Sequence, residues 1–442
     1  MKWFYFLLFF TALWLNGISQ VKPSGNIIDI SITQPQATAY TYDSAFRVCK
    51  KIGMGETGLF FPWTALETAP DTYNMAYMDI ANAYYPAYNT PINITIAPIA
   101  TDVLELPSDL RSLELNDPKV IKRFKTLLDT VFAHIPKLSL TFMVIGSEMD
   151  IYLGSDSAKW KQWTDFYDSA SAYAKTKRTG LKTACEGTFN GITGADSSYM
   201  KRINTSTDYM AVSYYPLKAD FTVEPPYIVS KSFKKVTSMY PSKQICFTQL
   251  GYPSSASCKS SLTLQQDFIK DVFGAWDTAA AHIQMIAFTW LHDLSPASIA
   301  YYENYYSVAD TTFGAYLGTL GLRTYAGGGT DKPAFGELIC QARVRGYNTL
   351  SCTTTGIGAT TENNPGFIVY PNPATGYINI QSDFEKEAIM HIYDITGKQL
   401  KAIIIKPNQT TTLDISSLPA GLYFIKAVAE GEVLIKNIVV VK

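Results

Sequence analysis

The sequence has little charge and no concentrated charge of either sign. Only 17% of its 442 residues are Asp, Glu, Lys or Arg, and 37 basic residues face 38 acidic ones, for a net charge of -1. Nucleic-acid binding needs clustered Lys and Arg to neutralise phosphates, so this composition argues against a nucleic-acid partner. Aromatic residues are abundant instead, at 13% with 29 Tyr, which favours stacking on the faces of uncharged sugars.

Histidine and cysteine patterns that hold metals are also missing. The chain has four His and six Cys, with no C-x-x-C or His/Cys spacing of a zinc site, so we expect neither a metal nor a cofactor. An even number of Cys permits disulfides in an oxidising compartment. Cys340 and Cys352 flank a short connector and are placed to pair across it. Cys185 and Cys246 fall in apolar strand-like runs, where a free buried thiol fits as well as a bridge.

Long hydrophobic runs are absent beyond the N-terminus. Residues 1–19 have a single Lys at position 2, then an apolar run from Trp3 to Leu15, and small residues near the end, as a secretory signal does. The run is shorter than the roughly 20 residues that span a bilayer. We therefore predict export by the Sec machinery and a mature protein without a transmembrane segment.

Residues 20–345 alternate short apolar runs with longer amphipathic segments. The count fits an α/β fold of the (β/α)8 TIM-barrel type, whereas an open doubly wound sheet is weakened because no G-x-G-x-x-G loop follows the first run. Helical segments include 117–135, which opens with an Asp cap and Pro before an apolar stripe. The eight candidate strands are NIIDISITQ, MGETGLFF, INITIAPIA, LTFMVIGSE, LKTACEG, DYMAVSYY, QICFTQLG and IQMIAFTWL.

The last part of the chain has a different texture. Residues 346–365 are rich in Gly, Ser, Thr and Asn and read as a linker. Residues 366–442 alternate apolar and polar side chains around Gly-containing turns, which predicts a small all-β, Ig-like sandwich. This segment resembles the C-terminal sorting domain of the type IX secretion system of Bacteroidetes. The matching stretches are Tyr370-Pro371-Asn372-Pro373, Ile392-Tyr393-Asp394 with Gly397, Leu418-Pro419-Ala420-Gly421-Leu422-Tyr423, and the terminal strand that ends in Lys.

The resemblance to sorting domains implies where the protein is transported. It implies passage across the outer membrane by the type IX secretion machinery and removal of the domain during release or surface attachment. The protein is accordingly expected to be secreted or held at the cell surface.

The ends of the predicted strands carry the candidate site, because barrel enzymes place their sites at the carboxyl ends of the strands. The fourth run ends in "IGSEMD", the sixth in "VSYYP", the seventh in "TQLGYPSS" and the eighth in "FTWLHD". Together with "FFPWTALETAPDTYN" after the second run, these motifs resemble clan A glycoside hydrolases, and the β-1,4-galactanases among them. The resemblance covers about Asn26 to Gln341 and rests on the order of short motifs.

That resemblance implies roles for particular residues. Glu148 is similar to the acid/base glutamate after strand four, and a β-linked polysaccharide or oligosaccharide is the implied ligand. Its other implied contacts with substrate are Ser147, Gln249, Tyr214, Tyr215, Trp290, Trp63 and Glu56. Tyr214 and Tyr215 point in opposite directions along a strand, so we expect only one of them to face the cleft.

Two positions depart from the family pattern. Ser147 stands where the family has Asn, and Gln249 stands where the family has its nucleophilic glutamate. A neutral amide is a very weak nucleophile and gives no anionic support to an oxocarbenium-like transition state. Three hypotheses follow: a displaced carboxylate such as Glu186, Glu56 or Asp293 supports hydrolysis, the barrel binds carbohydrate or mediates surface adhesion without turnover, or Gln249 is structural because strand seven has another register.

Overall fold

The protein is described by a computed structural model that covers residues 21–352, 367–372, 374–382, 386–394, 398–407, 409–429 and 432–441. The predicted signal peptide, 1–19, and residues 353–365 of the predicted linker lie outside the described residues. The chain divides into two units, Met1–Thr353 and Thr354–Lys442, and each is described by itself. Among the described residues, no helix is both long enough and apolar enough to cross a membrane.

Eight parallel strand positions close the barrel of the first unit. The fifth position is split into two pieces, β5a and β5b, of which β5a pairs with β4 and β5b pairs with β6. A bridge between Asp29 and Glu56 joins β1 to β2 and completes the ring, which confirms the predicted (β/α)8 fold. The strands are β1 (Ile27–Ile30), β2 (Thr57–Pro62), β3 (Ile92–Ala100), β4 (Leu140–Ser147), β5a (Thr183–Ala184), β5b (Glu186–Thr188), β6 (Tyr209–Tyr214), β7 (Gln244–Leu250) and β8 (Ile283–Phe288).

The helices surround this ring, and their ends follow local sequence signals. Helix α4 begins after Asp117, whose carboxylate accepts from the Lys119 N–H at 2.7 Å, and Pro118 occupies its first turn. The helices are α1 (Tyr42–Lys51), α2 (Trp63–Leu66), α3 (Ala76–Ala87), α4 (Pro118–His134), α5 (Met149–Leu153), α6 (Ser157–Lys177), α7 (Phe189–Thr193), α8 (Ser197–Ile203), α9 (Ile228–Met239), α10 (Leu262–Thr278), α11 (Pro296–Tyr305), α12 (Thr311–Leu317) and α13 (Pro333–Val344). A 3₁₀ turn spans Ala256–Cys258, and further short strands are Glu67–Ala69, Thr72–Tyr73 and Val103–Leu104.

Parallel strands that are covered by helices bury both faces, which explains their almost continuous apolar runs. A small apolar cluster fills the interior of the ring: Phe142, Val144, Ala184, Ala211, Cys246, Met285 and Ala287. The side chains at the carboxyl ends of the strands therefore form a floor above this cluster, and an open cleft lies over that floor.

A disulfide closes the end of the first unit. Cys340 in α13 is bonded to Cys352, with their Cα atoms 4.8 Å apart. The intervening segment returns to the barrel, where the Leu350 N–H donates to the Lys51 carbonyl at 2.7 Å and the Tyr347 hydroxyl donates to the Asn26 carbonyl at 2.7 Å. Residues 346–352, which the sequence placed in the linker, are thus hydrogen-bonded to the barrel. The other four cysteines, Cys49, Cys185, Cys246 and Cys258, are free and buried.

The second unit is an antiparallel all-β domain, as predicted. One sheet has the order β9-β10-β13 and the other has the order β12-β11-β14-β15. Inward residues such as Ile378 and Ile380 alternate with exposed ones and form a single apolar core. The strands are β9 (Phe367–Tyr370), β10 (Tyr377–Ser382), β11 (Ala388–Tyr393), β12 (Gln399–Ile405), β13 (Thr410–Asp414), β14 (Gly421–Ala429) and β15 (Glu432–Val440).

Candidate active site

A cleft of about 460 Å³ lies at the carboxyl ends of the barrel strands. Its polar side chains come from the ends of β3 to β8, so that elements distant in sequence meet in one place. The polar residues that line it include Thr101, Asp102, Ser147, Glu148, Glu186, Thr248, Gln249 and Thr289. The aromatic residues that line it are Phe60, Tyr215, Phe221, Trp290, Tyr302, Tyr306, Phe313 and Tyr316.

Glu148 sits on a sharp turn between β4 and the short helix α5. Its φ of 47° lies in the left-handed region, which is uncommon for a residue other than glycine. Gly146, two residues earlier, has φ of 81°, and a Cβ atom there would lie 2.6 Å from the Trp163 ring. Unfavourable backbone conformations of this kind cluster at functional sites, because the surrounding structure fixes a side chain in a required position.

Hydroxyl groups from two other strands hold the Glu148 carboxylate. The Thr101 hydroxyl, just after β3, donates to Oε2 at 2.8 Å, and the Ser213 hydroxyl of β6 donates to Oε1 at 2.5 Å. Thr101 itself has φ of 55°, so both partners of the first bond have left-handed backbones. The carboxylate is consequently oriented from two sides while the residue stays half-buried in the cleft.

Glu186, the first residue of β5b, is the second glutamate of the cleft. It is only 3% exposed. Its Oε2 accepts from the Ser147 hydroxyl and from Gln249 Nε2, the latter at 3.0 Å, and its Oε1 accepts from the Thr248 hydroxyl at 2.5 Å. Its neighbours therefore come from β4 and β7, and a carboxylate buried to this extent requires such partners.

Burial and the charge of Glu148 shift the pKa of Glu186 in the same direction. Desolvation, followed by the nearby charge of Glu148, raises the pKa of Glu186 to about 7, against the opposing hydrogen bonds from Ser147, Thr248 and Gln249. A carboxyl group with a pKa near neutrality exchanges a proton readily at working pH, which is the property required of a general acid or base.

Gln249 lies between Glu186 and Tyr215. Its Oε1 accepts from the Tyr215 hydroxyl at 3.0 Å, while its Nε2 donates to Glu186 and faces the Ser147 hydroxyl at 3.4 Å. The Tyr215 hydroxyl also lies 3.3 Å from the Thr289 hydroxyl. The predicted strand-seven residue is therefore part of the cleft, and its amide contacts the second carboxylate directly.

Three parallel aromatic rings form one wall of the cleft. Trp290 stacks on Tyr302 with ring centroids 6.4 Å apart and an interplanar angle of 20°, and Tyr302 stacks on Tyr306 at 6.2 Å and 12°. The Tyr306 hydroxyl lies 3.4 Å from the Thr101 hydroxyl that holds Glu148. This aromatic row leads from the cleft wall towards the carboxylates.

Asp150, two residues after Glu148, is a buried carboxylate that stabilises the site without lining the cleft. Its carboxylate accepts from the Thr188 N–H at 2.8 Å and from the Thr188 hydroxyl at 2.6 Å, which ties the residues after Glu148 to the end of β5b. Burial raises the pKa of Asp150 to about 6. The two glutamates are thus linked through the backbone that carries them.

Two predicted cleft residues are buried elsewhere, and both assignments need correction. Trp63 is fully buried at the start of α2, where its indole N–H donates to Glu67 at 2.9 Å and its ring packs edge-on against Phe124. Tyr214 points outward from the barrel and donates to Ser232 at 2.9 Å, while its neighbour Tyr215 faces the cleft. One tyrosine of the pair faces the cleft, as strand alternation requires.

Asp293 also lies outside the cleft lining. Its carboxylate forms a buried ion pair with Lys332 at 2.6 Å, and Lys332 Nζ donates further to the Thr319 carbonyl at 3.1 Å. Burial raises the pKa of Asp293 to about 6 even beside this cation. The pair holds the segment after β8 against the start of α13, so Asp293 is not placed to act on a ligand in the cleft.

Glu56 lies inside the barrel beneath the cleft and is not among the residues that line it, because it precedes β2 instead of following it. It is fully buried beside Asp29, and the Asn93 amide donates to both carboxylates, at 2.9 Å to Glu56 and 2.8 Å to Asp29. Burial raises the pKa of Glu56 to about 7, and burial together with the charge of Glu56 raises the pKa of Asp29 well above its usual value.

This carboxyl pair predicts that the barrel loses stability as pH rises. A carboxyl whose pKa is raised in the folded state keeps its full stabilising effect at low pH and loses it as pH rises towards the folded pKa, here between about 4.5 and 7. For Glu56 alone the loss is on the order of 3 kcal/mol. We expect the thermal midpoint of Glu56→Gln to fall less between pH 5 and pH 8 than that of the wild type. Equal slopes for the two proteins would contradict this assignment.

Several site residues were not predicted from the sequence. Thr101, Ser213 and Thr248 hold the two glutamates, and isolated hydroxyl residues at strand ends carry no distinguishing sequence signal. Tyr302 and Tyr306 did have a sequence signal. The stretch IAYYENYY, which lies between Ser295 and Asp310, is unusually rich in tyrosine. Its position after β8 would have placed these rings at the cleft.

Several solved structures of carbohydrate-active enzymes resemble this chain. A GH5_18 protein from Streptomyces cattleya, solved in complex with GlcNAc, matches with a TM-score of 0.55 at 13% identity over 75% of this chain and 82% of that one. An exo-β-1,4-mannosidase from Opitutaceae bacterium strain TAV5 matches with a TM-score of 0.56 at 14% identity over 75% and 62%. An FMN-binding β-glucuronidase from Facaelibacterium prausnitzii matches at 0.51 and 13% identity over 96% of this chain, which spans only 58% of that enzyme.

At such low identity these matches show the fold alone: the first unit is a TIM barrel. Residues 368–441 match the family described as the secretion system C-terminal sorting domain. The chain thus carries a type IX secretion signal and is secreted or held at the cell surface, which confirms the predicted localisation. No curated protein matches the chain.

Proposed function

We propose that the barrel is a secreted glycoside hydrolase that acts on an uncharged, β-linked oligosaccharide or polysaccharide. The observation that carries the proposal is the presence of two glutamates, Glu148 and Glu186, in one aromatic-lined cleft of a glycosidase-type barrel. The missing nucleophile on strand seven is then compensated by a carboxylate on strand five. Trp290, Tyr302 and Tyr306 supply flat apolar surface for sugar rings.

The two glutamates have different exposure, which suggests different roles. Glu148 is half-buried and protonates the glycosidic oxygen as the bond between this oxygen and the anomeric carbon breaks. Glu186 is only 3% exposed and both its oxygens accept hydrogen bonds, so it does not itself attack the anomeric carbon. A water molecule attacks that carbon instead. Glu186 takes the proton that this water releases. It is ionised in this step because Glu148 holds the proton of the pair, so the Glu148 charge that raises the pKa of Glu186 is absent. Exchange with solvent then restores the proton on Glu148 and removes it from Glu186, and the product has inverted configuration.

Carbohydrate binding without turnover is the second candidate. It is favoured by Gln249, whose neutral amide stands at the end of strand seven, and by the complete hydrogen bonding of Glu186. In this case Glu148 and Gln249 hold sugar hydroxyl groups, and the aromatic wall provides most of the binding energy.

A substrate panel tests the proposal. The mature protein is incubated with neutral β-galactans, β-glucans and β-mannans, and proton NMR reports the configuration of the first product. We expect hydrolysis of at least one member with inversion. Retention would contradict the water-mediated role of Glu186. Calorimetric binding without hydrolysis would support the second candidate, and the absence of both would overturn the carbohydrate assignment.

Acidic glycans in the same panel test the expected neutrality of the substrate. The described residues that line the cleft include Asp102, Glu148 and Glu186 but no Lys, Arg or His. A uronate carboxylate about 5 Å from one of these groups is repelled by roughly 1–3 kcal/mol, which weakens binding about 10- to 100-fold. Salt screens this repulsion. Uronate-containing glycans that bind as tightly as neutral ones at low salt would contradict the expectation.

A further inference from the structure

The carboxylate of Glu186 and the carboxamide of Gln249 meet across the top of the barrel. Glu186 begins β5b and Gln249 is near the end of β7, so β6 lies between them in the ring. Gln249 Nε2 nevertheless lies 3.0 Å from Glu186 Oε2. The carboxylate of a strand-five residue and the amide of a strand-seven residue are therefore in direct contact in the cleft.

The orientation of this amide is fixed by its neighbours on both sides. An ionised carboxylate can only accept hydrogen bonds, so the side of Gln249 that faces Glu186 must carry the NH₂ group. The Tyr215 hydroxyl donates to Oε1 on the other side at 3.0 Å. A reversed amide would place its oxygen against the carboxylate, and a glutamate at position 249 would do the same with a full negative charge.

We propose that Gln249 is a positioning residue for Glu186, and that positions 186 and 249 form a matched pair that holds one carboxylate between strands five and seven. In this pair the amide does not merely replace a lost nucleophile, because it supplies the donor that the relocated carboxylate requires. The pairing rests on the contacts above. Its catalytic consequence rests on the proposed function.

The electrostatic surroundings predict that a second negative charge at this position destabilises the pair. Two carboxylates about 3 Å apart do not both ionise, and the pKa of one of them rises strongly. The charge of Glu148 already opposes ionisation of Glu186. The other titratable groups that interact electrostatically with Glu186 include the buried Cys185 thiol and the Tyr215 phenol, and both are neutral at physiological pH because burial raises their pKa values. No described cation is available there to offset a second carboxylate.

Four variants of the mature protein test the matched pair: Gln249→Glu, Glu186→Gln, the double variant with both changes, and Gln249→Met. Thermal midpoints at pH 5.5 and pH 8.5 and the pH profile of hydrolysis are recorded for each. We expect Gln249→Glu to lose roughly 5 °C or more in midpoint between the two pH values, relative to the wild type, and to gain no activity above pH 7. The double variant, which again holds one carboxylate, should regain the wild-type pH dependence of the midpoint.

Activity provides the second readout. Glu186→Gln should lose at least tenfold in kcat, and the double variant should recover a large part of that loss with inversion of the product. Recovery with retention would show that the new carboxylate at position 249 acts as a nucleophile instead. Gln249→Met removes the donor without adding charge, so it should move the acidic limb of the pH profile upwards by about one unit.

The outcomes separate the pairing from the proposed function. A Gln249→Glu variant with wild-type pH dependence and a higher rate than the wild type would overturn the matched pair, because Gln249 would then be an ordinary nucleophile replacement. A Gln249→Met variant with unchanged pH dependence would also contradict it. If no variant hydrolyses any substrate, the proposed function fails, while the midpoints alone still decide whether the two positions are coupled.

Discussion

Replacing Glu148 by Gln is expected to reduce kcat/KM by about 10²–10⁴, the range that general acid–base catalysis contributes. The amide keeps the shape of the side chain but has no proton to deliver to the leaving oxygen. Its carbonyl oxygen can still accept from Thr101 or Ser213, so the fold and the cleft should persist. Steady-state kinetics on the best substrate of the panel measure the loss, and calorimetry with a product oligosaccharide checks that binding survives within about tenfold.

Asp102→Asn is the matched control for Glu148→Gln. It removes a negative charge from the same cleft and leaves both glutamates in place, and its effect on kcat should stay below tenfold. Equal losses in the two variants would show that the charge of the cleft matters and not the proton on Glu148. An unchanged rate in Glu148→Gln would remove this residue from the mechanism altogether.

Gly146→Ala is expected to have the largest effect on stability, about 3 kcal/mol, from two separate causes. Alanine at φ of 81° is conformationally unfavourable, and its Cβ would lie 2.6 Å from the buried Trp163 ring. Since Trp163 is fully buried, its ring has little room to move. The thermal midpoint should fall by roughly 5–10 °C, and kcat should fall with it because Glu148 is two residues away.

Gly180→Ala isolates the steric part of this loss. Gly180 has nearly the same φ, 80°, but no atom lies within 4 Å of the position of its Cβ. The control should therefore cost only about 1–2 kcal/mol of stability, the usual penalty for a left-handed backbone. If both variants lose the same stability, Trp163 moves aside easily and the turn that carries Glu148 is less tightly packed than its geometry indicates.

The barrel could be predicted because its signals are local and repeated. Eight apolar runs separated by amphipathic segments mark the strands, and the last polar residue of a run marks its carboxyl end. Those two features are enough to place Glu148 and Gln249 at the cleft, and strand alternation is enough to assign only one of Tyr214 and Tyr215 to it. The sequence of the sorting domain was similarly informative, since its motifs follow one another in a fixed order.

The remaining errors have physical causes that no local pattern reveals. The fifth strand changes partners at Cys185, and Glu186 begins the piece that pairs with β6. Trp63 looked like a cleft wall, but the indole N–H finds Glu67 four residues later and the short helix turns the ring into the core. Glu56 precedes its strand by one residue, which buries it in the barrel interior beneath the cleft. The contact between Glu186 and Gln249 depends on two strands that are not adjacent in the ring.

The bond between Cys340 and Cys352 also has a mechanical meaning. The described part of the barrel ends at Cys352, and the next described residue, Phe367, belongs to the sorting domain. Because Cys352 is bonded to Cys340, a cut in the chain after Cys352 leaves residues 346–352 attached to α13 at both ends. The disulfide therefore limits unfolding that starts from the C-terminal end of the barrel unit. A cell that removes the sorting domain after export would leave a barrel that does not fray from the cut.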